Sequence, residues 1–230
     1  LSLDAATIAS NGALTVSALS AANLATLTID SGIGAVTMSD LGTVSKLETF
    51  TVDTGDATAS AKTTITAGTS TSVDTITASG SGAFEITALT AASLDSLDAS
   101  GVTGVVTIGS ASAALTAATG ASIKTGTGND AVTISTANMV AVDMGEKTSD
   151  TDTLTLVGTQ NSGTGVINLA STTDQIVNIN GFAEANVQVG LENVTLSSVT
   201  STGSFGFQVT ANAAGSVITG SQFNDTIILG

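Results

Sequence analysis

Along the first hundred residues one arrangement of apolar positions keeps returning: apolar, two residues, apolar, one residue, apolar. It stands at Leu3-Ala6-Ile8, Leu24-Leu27-Ile29, Leu47-Phe50-Val52, Val73-Ile76-Ala78 and Leu94-Leu97-Ala99, with starts 21, 23, 26 and 21 residues apart. Each unit carries a second strand-like patch: Leu14-Val16, Val36-Met38, Ile65, Ile86, and Val105 to Ile108. In four units that patch begins or centres 11 to 13 residues after the unit start; in the third it is 18, as if a loop were inserted at Asp53 to Lys62. Stretches such as TLTID and TFTVD alternate apolar and polar with the period of two that a strand with one buried face requires.

Two short strands repeated about every 23 residues predict an all-β, parallel β-solenoid. One unit has too little apolar surface to fold alone. Stacked units bury their inward residues against each other and pair their strands in parallel. Thr at alternate positions would face outward or form ladders. Glycines with Ser, Asp and Asn (SNG, DSGIG, DTGD, SGSG, SGVTG) would make the corners. The stretches Val16 to Leu27 and Leu89 to Leu97 allow short helices at those corners, although neither has the length of an independent helix. An antiparallel sandwich of short strands is the competing architecture. It is disfavoured by the repeated spacing and by the scarcity of Asn-Gly hairpin signals.

Near residue 120 the leucine-led unit fades and Asn-Asp and Asp-Thr-Asp turns take over. This divides the chain into residues 1–120, a solenoid of 21- to 26-residue repeats, and residues 121–230, a solenoid of degenerate turns. The sequence reads as a stretch of a longer polypeptide. It contains no signal-like segment and no apolar run long enough to span a membrane.

Composition narrows the chemistry. Cys, His, Trp, Tyr, Pro and Arg are absent, which removes the usual zinc site, the Ser-His-Asp triad and the thiol nucleophile. Nineteen acids against four cations, all Lys, give a net charge of −15 that would repel nucleic acid. Hydrophobic residues at 42% argue for a packed core and against disorder. An acidic, cation-poor chain suits hard cations with oxygen ligands, which points to calcium.

Three stretches place an acid in a polar turn just before a strand: Gly126-Thr127-Gly128-Asn129-Asp130-Ala131-Val132, Thr148 to Leu154 with Asp150 and Asp152, and Gly220 to Ile227 with Asn224 and Asp225. Glycines let such a turn direct its carbonyls inward, and the aspartate adds a carboxylate. Two such turns stacked in parallel could surround one calcium ion with oxygens. Asp143, Asp150 and Asp152 are the nearest acids that could complete a site at Asp130. The competing reading of Asp130 is a metal-free turn at a strand start. Asp30, Asp53, Asp74, Asp95 and Asp98 read mainly as corner residues that follow the first strand of their units and satisfy backbone amides.

These turns resemble the nonapeptide repeats of RTX (hemolysin-type calcium-binding) proteins, Gly-Gly-x-Gly-x-Asp-x-apolar-x. TGTGNDAVT matches at Gly126, Gly128, Asp130 and Val132, with Thr125 in place of the first Gly. ITGSQFNDTIILG matches at Asp225 and Ile227, with Phe223 in place of a Gly, and TSDTDTLTL keeps Asp152 and Leu154. The Thr/Ala/Ser/Gly-rich strands, together with these turns, resemble bacterial surface-layer (S-layer) proteins of the RTX type. That resemblance implies an RTX-like β-roll and calcium at Gly126, Gly128, Asn129, Asp130, Asp143, Asp150, Asp152, Gly220, Asn224 and Asp225. It further implies type I secretion and self-assembly into a two-dimensional lattice on the cell surface. Contact with cell-surface polysaccharide would come through regions outside this stretch. The alternative is a calcium-stiffened stalk of a secreted RTX adhesin. A β-helical polysaccharide lyase or hydrolase is disfavoured, since such enzymes need Arg or Lys with aromatics in a groove, and Arg, Tyr and Trp are missing.

Overall fold

A computed structural model describes residues 3–40, 44–56, 62–66, 68–110, 115–118, 121–135 and 141–143, followed by the strands from residue 152 onward. Beyond residue 133 the description is of backbone, with side-chain burial given only at Val142 and Ile227.

In chain order the strands begin with β1 (Ala5–Ala9), β2 (Leu14–Val16), β3 (Thr26–Asp30), β4 (Ala35–Met38), β5 (Thr49–Asp53), β6 (Lys62–Ile65), β7 (Thr69–Ser70) and β8 (Thr75–Gly80). They continue with β9 (Ala83–Ile86), β10 (Thr90–Ala91), β11 (Ser96–Val102), β12 (Val106–Ile108), β13 (Ser122–Lys124), β14 (Ala131–Ser135), β15 (Ala141–Asp143) and β16 (Asp152–Val157). The last are β17 (Val166–Asn168), β18 (Gln175–Asn180), β19 (Asn186–Val189), β20 (Asn193–Thr195), β21 (Gln208–Ala211), β22 (Ile218–Thr219) and β23 (Thr226–Leu229).

Every pairing among them is parallel. A seven-stranded sheet runs β1-β3-β5-β8-β11-β13-β15, and a ten-stranded sheet runs β2-β4-β6-β9-β12-β14-β16-β18-β20-β22. A four-stranded sheet, β17-β19-β21-β23, and a short pair, β7 with β10, complete the set. Successive circuits of the chain thus lay one strand on each of two walls, which is a β-solenoid. The antiparallel sandwich is excluded. Ala5 pairs with Thr26, Thr26 with Thr49, Thr49 with Thr75 and Thr75 with Ser96, steps of 21, 23, 26 and 21 residues. These steps equal the spacings of the apolar pattern. On the other wall Ala35 pairs with Lys62, a step of 27 against 22 from Leu14 to Val36, so the added length at Asp53 to Lys62 falls between walls. Both walls continue across residue 120, through β11 to β13 and β12 to β14.

The inward residues follow the alternation. Leu27, Ile29, Phe50, Val52, Ile76 and Leu97 line one wall; Val36, Met38, Ile65, Phe84, Ile86 and Val106 line the other, all fully buried. Each strand is inward on one side only because successive side chains point to opposite faces. Thr63 sits inward on the second wall between Val36 and Phe84 and bonds the buried Ser31 hydroxyl across the interior. A buried hydroxyl needs such a partner.

No helix occurs among the described residues. The stretches Val16 to Leu27 and Leu89 to Leu97 instead turn once, through Leu24 N–H to Ala21 C=O (3.0 Å) and Leu94 N–H to Ala91 C=O (2.9 Å). Leu47 to Val44 and Ala121 to Ala118 repeat the turn, and the Ser70 hydroxyl takes the carbonyl's place for Val73 N–H at 3.1 Å. A helix cannot grow there because the neighbouring coil claims the next amides: Ala25 and Thr26 both donate to Asp4 C=O. Asp74 and Asp95 precede β8 and β11, and do not follow the first strand of their units as the sequence suggested.

Candidate functional site

The Thr125–Asp130 turn connects β13 to β14 and so carries the chain from one wall to the other. Gly126 passes under Val102, and a Cβ placed there would stand 1.7 Å from the Val102 carbonyl oxygen. Gly128 passes under Gly104, where a Cβ would stand 2.5 Å from the Gly104 oxygen. Both glycines are therefore required by close backbone approach between coils. The same approach recurs at Gly34 under Gly12 and Gly104 under Gly82, where a Cβ would meet the earlier coil's carbonyl oxygen at 2.2 and 2.4 Å. Asn129 is exposed at the tip, whereas Thr125 and Asp130 are buried, each 1% exposed.

Asp130 Oδ1 accepts the Val106 N–H at 2.7 Å. The pairing explains the contact. Thr107 lies opposite Ala131, which sets Asp130 beside Val106 of the preceding coil. Ala131 lies opposite Thr153, which sets Asp152 at the same position in the following coil. The fold thus brings Asp152 into line with Asp130 along the backbone. It places Asp143 elsewhere, on the other wall and in register with Lys124, which in turn pairs with Asp98. Asp150, Gly220, Asn224 and Asp225 lie outside the described residues. No three acids gather within reach of a common metal ion among the described residues. Calcium takes roughly six to eight oxygens. The described part of the Asp130 corner offers one carboxylate, one oxygen of which already receives a backbone N–H.

The outer corners behave differently. Asp30 Oδ1 accepts Gly32 N–H at 3.0 Å, and Asp53 Oδ1 accepts Gly55 N–H at 2.9 Å. Gly32 and Gly55 have φ of 53° and 72°, the left-handed conformation that these tight turns need. Asp98 Oδ1 accepts from Ser100 twice, from its hydroxyl at 2.6 Å and its N–H at 3.0 Å. Those bonds, the hydroxyl first, hold the Asp98 carboxyl below its ordinary range, helped by the nearby Lys124 charge and opposed by partial burial. These three aspartates serve their own turns, as a corner residue should. Lys62 and Glu85 form an ion pair at 2.6 Å on the outside of the second wall.

Sequence reasoning missed the Ser31–Thr63 pair. Its signal was available: Thr63 occupies an inward position in KTTI, where the adjacent coils carry Val36 and Phe84. No protein-family model, curated protein or solved structure matches this chain. No helix among the described residues is long and apolar enough to cross a membrane, which says nothing about β-barrel membrane proteins.

Proposed function

We propose that this chain is a structural subunit of a bacterial surface layer, associating with copies of itself in a two-dimensional lattice outside the cell. What supports the reading is the pair of long parallel walls, held in register coil after coil. They make a rod stiff along its axis, with Thr7, Thr28, Thr51 and Thr77 aligned on the outside of the first wall. Short hydroxyl side chains make a flat face that a neighbouring subunit could pack against. The role is structural and not catalytic. Calcium enters this reading as the counter-ion to a net charge of −15, taken up at acidic turns other than the one at Asp130. Export by the type I route fits the same reading.

Imaging the purified protein in millimolar calcium, in magnesium and in EDTA tests it. Sheets that form with calcium and dissolve in EDTA are the expected result. Isolated rods that stiffen with calcium but never associate would favour the adhesin stalk. Identical particles and identical thermal melts in all three buffers would remove calcium from the account.

A further inference from the structure

We propose that the Thr125–Asp130 turn is a stacking corner in which the Asp130 carboxylate sets the register of one coil on the coil before it, without calcium. This is independent of the surface-layer reading, because calcium could act at other turns while this one does not use it.

Three observations carry the proposal. First, β12 uses one edge for β9, where Phe84 N–H donates to Val105 C=O at 3.0 Å. The next residue, Val106, faces the other way, toward β14. The first backbone pair there is Thr107 with Ala131, so Val106 stands one step before the ladder begins. Asp130 Oδ1 accepts its N–H at 2.7 Å and so stands in for a main-chain carbonyl. Aspartate side chains readily make this substitution.

Second, Gly126 and Gly128 need no metal to explain them. Each lies against a carbonyl of the previous coil, and Gly34 and Gly104 make the same approach at corners that carry no equivalent aspartate. The Gly-x-Gly spacing is therefore a requirement of stacking in this chain.

Third, Asp130 is 1% exposed. A cation bound to it would have to enter the stack, where the Val106 N–H already supplies positive polarity to Oδ1.

Amide hydrogen exchange at Val106, followed by NMR on the whole 230-residue chain in EDTA and in calcium, tests the assignment. In the unaltered protein, protection at Val106 should be the same in both buffers. Asp130→Asn keeps an acceptor oxygen and should preserve that protection. Asp130→Ala should lower it by about tenfold, again in both buffers, consistent with loss of one hydrogen bond. Protection that appears only with calcium would overturn the proposal. So would an Asp130→Asn loss as large as that of Asp130→Ala and confined to the calcium sample. Should Asp130→Ala fail to fold, the unaltered chain and Asp130→Asn in EDTA still decide the matter: protected amides support the clamp, and unprotected ones end it.

Discussion

Coils one and two carry closely related strands, yet their interiors differ. Ile8 and Val16 of the first coil are half-buried, while their register partners Ile29 and Met38 in the second are fully buried. Among the described residues the second coil has a paired neighbour on each side, whereas β1 and β2 are paired with the second coil alone. An inward side chain in a solenoid is covered partly by the opposite wall and partly by the coils above and below. Burial is thus a property of the stack, as expected where each repeat touches only its neighbours.

The sharpest way to break this comparison is to make the same truncation in both coils. Ile29→Ala should cost about 2–5 kcal/mol, the range for removing a fully buried Leu, Ile or Met side chain. Ile8→Ala should cost less than half as much, read as the shift in urea midpoint at constant m-value. Equal losses would mean that β1 is covered as completely as β3, and the contrast between the coils would disappear.

Glycines offer a second matched pair. A Cβ on Gly34 would meet the Gly12 carbonyl oxygen at 2.2 Å, whereas one on Gly12 meets nothing within 4 Å. Gly34→Ala should therefore destabilise by about 1–3 kcal/mol, as overpacking does. Gly12→Ala should fall within about 0.5 kcal/mol of the unaltered protein, like other surface changes. Thermal melts of the two variants side by side give the answer; a tolerant Gly34 would mean that the coils can separate locally without loss.

At the exposed rim the expected effect is smallest and depends on pH. The folded Asp98 carboxyl titrates below its ordinary value of 3.8. A depressed carboxylate contributes stability that is present above the unfolded pKa and is lost as pH falls through the folded one. Ser100→Ala removes the hydroxyl bond that is the main cause, so its penalty should be visible at neutral pH and vanish in strong acid. A penalty that stays constant down to the acid limit would show that the hydroxyl acts by packing alone.

Much of this architecture was legible in the chain. The apolar positions at Leu27, Phe50, Ile76 and Leu97 gave the strand on each coil, its inward face and the register step, because a parallel stack repeats its contacts at the repeat length of the sequence. The corner aspartates Asp30, Asp53 and Asp98 were equally readable, since their bonds reach only two residues along the chain. The helices allowed at Val16 to Leu27 and Leu89 to Leu97 were misread because local composition cannot register that amides such as Thr26 N–H are taken by another coil.

Asp130 marks the boundary between the two kinds of information. Its sequence neighbours, Gly126, Gly128 and Asn129, match a calcium-turn pattern by spacing alone. The tertiary structure decided that Asp130 is buried, that its oxygen meets Val106 from the preceding coil, and that Asp143 lies on the other wall. Sequence by itself fixed the period, and with it which residues stack. What those residues touch depended on which strand edge faced which coil, and that follows from contacts about 24 residues apart, beyond the reach of any local pattern.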